Sequence, residues 1–174
     1  LYIDSQIKSS ATPEELSPYI KDGGIPNQAT LAFGDGSETL VSEQPRVTPP
    51  TEEPVIKKTV GGQASKELTN QDDVFTWEVA ASFGNDTSDW TEVKITDQIN
   101  DLLDIKDIRI VDENDTDVTS KGTLDTANNL VTFTLNQENG SFTYLAGHTY
   151  TLYIDSQIKS SATPEELSPY IKDG

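Results

Sequence analysis

One stretch occurs twice in the chain without a single difference: Leu1–Gly23 and Leu152–Gly174 both read LYIDSQIKSSATPEELSPYIKDG. Packing does not enforce identity of that length, because cores accept many apolar exchanges and surfaces accept nearly any polar residue. The match implies recent duplication or the deliberate repetition of a segment. Leu1 and Leu152 stand 151 positions apart, a spacing of domain size and well above the roughly 20–50 residues of solenoid repeats. The expected architecture is a tandem-repeat array whose period is a whole domain. On that reading residues 1–44 are the C-terminal part of one repeat, with its last strands and among them 25–33. Residues 45–54 form a proline-rich linker, and 55–174 are the N-terminal part of the next repeat, lacking its closing strand.

From Val55 onward apolar and polar residues alternate, and clusters of Gly, Asn and Asp interrupt the alternation, which is the pattern of strands in a sandwich. Strands are expected at Val55–Val60, Val74–Phe83, Thr91–Asp97, Ile105–Val111, Leu130–Leu135 and Thr149–Ile158, with Asn27–Phe33 and Glu38–Val41 in the first piece. Their spacing suits an all-β, immunoglobulin-like sandwich. Each repeat should add one short helix: Thr163 is placed to cap it, Pro164 sits at its first position, and Glu165 and Glu166 fill its first turn. The segment QPRVTPPTEEP, Gln44 to Pro54, has four prolines and no alternation, so it reads as a stiff, extended connection.

The charge narrows the range of partners. With a net charge of −18, contact with nucleic acid or an anionic membrane surface begins with like-charge repulsion. The chain has no cysteine and only one histidine, His148, which excludes disulfides, thiolate zinc sites and histidine clusters. No cofactor is expected. No apolar run approaches the roughly 20 residues of a membrane helix, and no signal peptide is present, so no membrane insertion is expected and the chain reads as an interior segment of something longer.

Strand parity shows which polar residues share a face with apolar ones. In Val55–Val60 the face of Ile56 and Val60 also carries Lys58, whereas Lys57 points the other way. In Val93–Asp97 the face of Val93 and Ile95 ends in Asp97, and in Asn27–Phe33 the face of Ala29, Leu31 and Phe33 begins with Asn27. Polar residues at strand ends commonly reach water whatever their parity. An amine, an acid and a carboxamide, each on an inward face, nevertheless form a chemically coherent set, since burial favours uncharged forms and an uncharged amine is a nucleophile.

The stretches VIKKTVGG (55–62), LTNQDDVFTWEVAASF (68–83), VKITDQINDLL (93–103), VTFTLN (131–136), LAGHTYTLYIDSQI (145–158) and IPNQATLAF (25–33) together resemble a known family. It is the isopeptide-forming, pilin-like domains of Gram-positive surface proteins, related to the B-type domains of collagen adhesins. They follow the family's order if IPNQATLAF is taken as the last strand of a unit. The resemblance implies a B-type β-sandwich and an autocatalytic amide bond between Lys58 and Asn27, with Asp97 as the catalytic acid. It implies a structural stalk or spacer repeat of a cell-wall-anchored extracellular adhesin or fibre, which is not an enzyme with turnover. The alternative reading is an adhesin module that itself binds a host glycan or matrix protein.

Because Asn27 lies in the first repeat fragment and Lys58 in the second, the closing strand is expected either to fold back within the chain or to insert into a neighbouring copy, with donation to a neighbour favoured. The run Asp112, Glu113, Asn114, Asp115, Thr116, Asp117 offers Asp112, Asn114, Asp115 and Asp117 as calcium-type ligands. It lacks the glycine register of an EF-hand and reads better as a solvated acidic turn. His148 after Gly147 marks a turn, Trp77 and Trp90 read as core or edge aromatics, and Gly34-Asp35-Gly36 is a hairpin turn.

Overall fold

The computed structural model describes residues 2–171. The chain divides into two compact units, one made of Leu1–Pro54, Phe83–Thr91 and Gln137–Gly147, the other of Val55–Ser82, Glu92–Asn136 and His148–Gly174.

The second unit holds the sandwich. Its larger sheet contains β5 (Val55–Val60), β6 (Phe75–Ser82), β8 (Leu103–Val111) and β11 (Thr149–Ile158) in the order β5-β6-β11-β8, and its smaller sheet contains β7 (Lys94–Gln98), β9 (Gly122–Ala127) and β10 (Leu130–Leu135) in the order β7-β10-β9. Every pairing is antiparallel, as expected of strands whose polar faces remain solvated. Alternation does what the sequence predicts: along β11 every second residue from Tyr150 to Ser156 is buried, and along β7 Ile95 and Asp97 are buried between exposed neighbours. Val79, Ile95, Ile110, Val131, Phe133, Leu152 and Ile154 form the centre of the core. A bulge between Asp155 and Ser156 shifts the register of β11 against β8. The second helix, α2 (Pro164–Leu167), begins where expected, with Thr163 and Glu166 forming a reciprocal capping box, and continues as a 3₁₀ turn over Ser168–Tyr170.

The first unit carries α1 (Pro13–Lys21) and four short strands: β1 (Ile25–Pro26), β2 (Thr30–Phe33), β3 (Glu38–Val41) and β4 (Arg46–Val47). β2 and β3 form the hairpin predicted around Gly34-Asp35-Gly36, closed by the Gly36 N–H donating to the Phe33 carbonyl. Leu31 faces Leu40 across this hairpin, and both are exposed along with Phe33. The segment expected as one strand from Asn27 is broken: Ile25–Pro26 pair with Arg46–Val47, and β2 starts only at Thr30. The proline-rich stretch is therefore not wholly unpaired, because Arg46 and Val47 lie between Pro45 and Pro49 and keep the N–H groups a ladder needs.

Candidate functional site

β5 and β7 are both edge strands, one in each sheet of the sandwich. Lys58 extends from β5 and Asp97 from β7, and Lys58 Nζ lies 2.6 Å from Asp97 Oδ1. The pair is asymmetric in burial: the Lys58 side chain is 40% exposed, whereas that of Asp97 is 9% exposed. The reason is local. Asp97 continues the inward row of Ile95, while Lys58 shares its face with Val60, which is buried, and Ile56, which is open to solvent. Asp97 Oδ2 is fully buried and has no hydrogen-bond partner among the described residues. A buried carboxyl oxygen without a partner costs roughly 1–3 kcal/mol, so this atom is poised to accept or donate one more hydrogen bond.

A third residue, Trp77 on β6, completes the surroundings of the amine, with its ring centroid 4.7 Å from Lys58 Nζ. The sequence reads Trp77 as a core or edge aromatic and does not reveal this contact. The signal was present in the register, since Val60 pairs with Trp77 and Lys58 with Val79, which puts Trp77 diagonally across from Lys58 on the same face. Phe75 braces the indole edge-to-face at 5.5 Å. Lys57 is exposed and pairs with Ala80.

Asn27 belongs to the first unit. It is exposed, lies between β1 and β2, and its backbone N–H donates to the Pro45 carbonyl at 3.0 Å. Of the three residues singled out, the second unit thus brings together Lys58 and Asp97.

The acidic run is built as a turn. Asp112 Oδ1 accepts the N–H groups of Asn114 and Thr116, at 2.8 and 2.9 Å, and Asp117 Oδ1 accepts that of Thr119 at 2.7 Å. The backbone donors from Thr116 and Thr119 hold Asp112 and Asp117 below the ordinary carboxylate range. Asp115 takes a left-handed conformation at φ 58°. Among the described residues no group of three or more His, Asp or Glu side chains is arranged to hold a metal ion. His148 Nδ1 lies 2.7 Å from Glu113 Oε1, and Glu113 Oε2 also accepts the Thr149 N–H, so the histidine ties the acidic turn to the start of β11.

Two crystal structures of BcpA, the major pilin subunit of Bacillus cereus, superpose on the chain with a TM-score of 0.54, over 79% of this chain and 39% of theirs. The fold is pilin-like. Identity to these structures is 19% and 18%, the former to an Asp-to-Ala variant of BcpA. Platelet adherence protein A of Streptococcus gordonii is 37% identical over 105 residues, covering 58% of this chain, and the chain spans 3% of that protein's length. No family model matches. The proteins that resemble this pilin-like domain are a pilus subunit and an adherence protein, not enzymes. Among the described residues no helix is long and apolar enough to cross a membrane.

Proposed function

We propose that the chain is a structural repeat of a surface adhesin or fibre, extracellular and attached to the cell wall, in which Lys58 and Asp97 form an autocatalytic isopeptide site. The observation that carries this reading is Asp97: buried, paired with an amine through one oxygen and unpartnered at the other. The missing partner is a carboxamide. Asn27 supplies it, because the 23 repeated residues are followed by Gly24-Ile25-Pro26-Asn27 and the same continuation would bring an equivalent asparagine after Gly174 in an array.

In the reaction a proton passes from the Lys58 ammonium to the Asp97 carboxylate within the pair, and the uncharged amine then attacks the carboxamide carbon, forming a carbon–nitrogen bond. Asp97 donates a hydrogen bond to the carbonyl oxygen as charge develops there, takes a proton from the attacking nitrogen and returns it to the leaving one. The original carbon–NH₂ bond breaks and ammonia departs, leaving a secondary amide. The event happens once per site and serves mechanical and kinetic stability, much as a covalent loop constraint does.

The exposed apolar face of the β2–β3 hairpin and the exposed Val55 and Ile56 on edge strand β5 support strand donation between copies, since each presents apolar surface to solvent. Intact-mass analysis and denaturing electrophoresis of the full chain test the reading. A bond formed within a chain lowers its mass by about 17 Da through loss of ammonia, and a bond between chains gives covalent oligomers with the same loss per link. Both products should vanish in Lys58→Ala, Asp97→Ala and Asn27→Ala. A folded chain of unchanged mass that yields no covalent oligomer refutes the site.

A further inference from the structure

Leu1–Gly23 and Leu152–Gly174 are one peptide in two surroundings. Both copies start their helix in the same way, with the capping box of Thr12 and Glu15 repeated by Thr163 and Glu166. They diverge afterwards. In the first copy α1 runs for nine residues, and Ser17 and Ile20 are buried, at 0% and 9% exposure. In the second copy α2 runs for four residues before tightening into the 3₁₀ turn, Ser168 is exposed and Ile171 is 65% exposed. The residues are the same, so the difference lies in what surrounds each copy.

Those surroundings are visible for α1 within its own unit. Ser17 Oγ accepts the Thr87 N–H at 3.0 Å, and Lys21 Nζ lies 3.1 Å from Asp86 Oδ2 and 3.9 Å from Asp89 Oδ2. Pro13 packs against Gly147, where a Cβ would stand 2.6 Å from Pro13 Cγ and where φ is +78°, so only glycine fits. The seat is made of Phe83–Thr91 and the turn ending at Gly147, which are joined by the Gly147 N–H donating to the Gly84 carbonyl. The same loop also grips the connecting segment. Asn85 Oδ1 accepts the Glu52 N–H at 2.7 Å, Asn85 Nδ2 donates to the Pro50 carbonyl at 2.9 Å, and Gly84 sits against the Glu52 carbonyl with no room for a side chain. A repeat's helix and the linker that follows it are thus both held by loops that belong, in sequence, to the next repeat.

We propose that the exposed face of the second copy, around Ser168 and Ile171, is a docking surface whose partner is the loop cluster Phe83–Thr91 and Thr143–Gly147 of a further copy of this domain. The repeated sequence also has a lysine, Lys172, at the position of Lys21. Docking extends α2 beyond Leu167, as it does in α1, and makes each junction of the array a seated joint instead of a free tether. The inference rests on the tandem-array part of the proposed function and is independent of the amide bond.

The test uses the full chain extended past Gly174 by a second copy of residues 24–174. The native chain has no cysteine, so paired cysteines report only the designed contact. Ser17→Cys with Thr87→Cys in the first copy is the internal control, and Ser168→Cys with Thr87→Cys in the appended copy is the test. Both pairs should oxidise to disulfides to the same extent, because the two seats are identical. Adding Ile171→Asp should slow closure of the test pair about tenfold or more, as expected for losing burial of one large aliphatic side chain, while the control pair is unaffected. A control disulfide that forms while the test thiols stay free overturns the proposal, as does closure of the test pair at an unchanged rate in the Ile171→Asp chain. Lys58→Ala in the same chain removes the amide bond and should leave both disulfides intact, which separates failure of this joint from failure of the isopeptide site.

Discussion

Replacing Lys58 by Met should destabilise the sandwich more than replacing Asp97 by Asn, although each change removes one end of the same ion pair. The difference follows from unequal burial. In Lys58→Met the Asp97 carboxylate stays 9% exposed, loses its 2.6 Å partner at Oδ1 and still has none at Oδ2. Stranding a fully buried charge costs about 3–5 kcal/mol, and because the lysine side of this pair is 40% open, water can reach part of the vacated space and bring the cost to about 2 kcal/mol. In Asp97→Asn the ammonium remains at an open sheet edge, keeps its position over Trp77 and can be hydrated, so the loss should be about 0.5–1 kcal/mol. Urea unfolding followed by tryptophan fluorescence reads both, with Trp77 reporting from the site itself. At a slope of about 2 kcal/mol/M the first variant shifts the midpoint by about 1 M and the second by at most about half of that. The measurements belong in an Asn27→Ala background, which removes the amide donor so that no crosslink contributes. An Asp97→Asn loss equal to or larger than that of Lys58→Met would refute the reasoning that Asp97 is the desolvated member.

Two further outcomes follow from the core and from the acidic turns. Phe133→Ala, at a ring with 0% exposure that faces Ile95 and Leu124 across the smaller sheet, should cost about 3–5 kcal/mol in the same denaturation assay, and a loss below 1 kcal/mol would show that the sheets do not pack around it. Asp73, Asp112 and Asp117 are held below the ordinary carboxylate range by backbone N–H donors, from Asn70, Thr116 and Thr119 respectively, so their stabilising contribution is present above about pH 4 and is lost as pH falls through their folded values. Acidification also relieves the repulsion within a chain of net charge −18, so the readout is a comparison: the urea midpoint should fall less between pH 5 and pH 3 in the Asp73→Asn, Asp112→Asn, Asp117→Asn variant than in the parent.

Much of the sandwich was readable because its strands obey parity. Val55–Val60 and Leu130–Leu135 fall where alternation puts them, and Thr149–Ile158 also appears over its full predicted range. β9 was not anticipated. Gly122–Ala127 is an outer strand with little apolar content, and its pairing is decided by β10, not by its own pattern. The inward position of Asp97 was legible for the same reason as the core, since β7 alternates cleanly, whereas Trp77 at the amine depends on cross-strand register that no single strand reveals. The seat of α1 was out of reach for a different reason: its determinants, Thr87, Asp86 and Gly147, lie far along the chain and carry no periodic signal.

The twin peptides also bear on how such a chain finds its fold. Ile154 is completely buried in the middle of the larger sheet, while its counterpart Ile3 is 68% exposed and lies outside any strand. Leu152–Ile158 is therefore not a strand by its own inclination; it becomes one between β6 and β8. Two indistinguishable segments can compete for that single slot during folding, and β6 cannot tell them apart along the repeated residues. In a long array every repeat presents its neighbours with the same strand, so exchange of that strand between repeats is the characteristic misassembly that such near-identity invites.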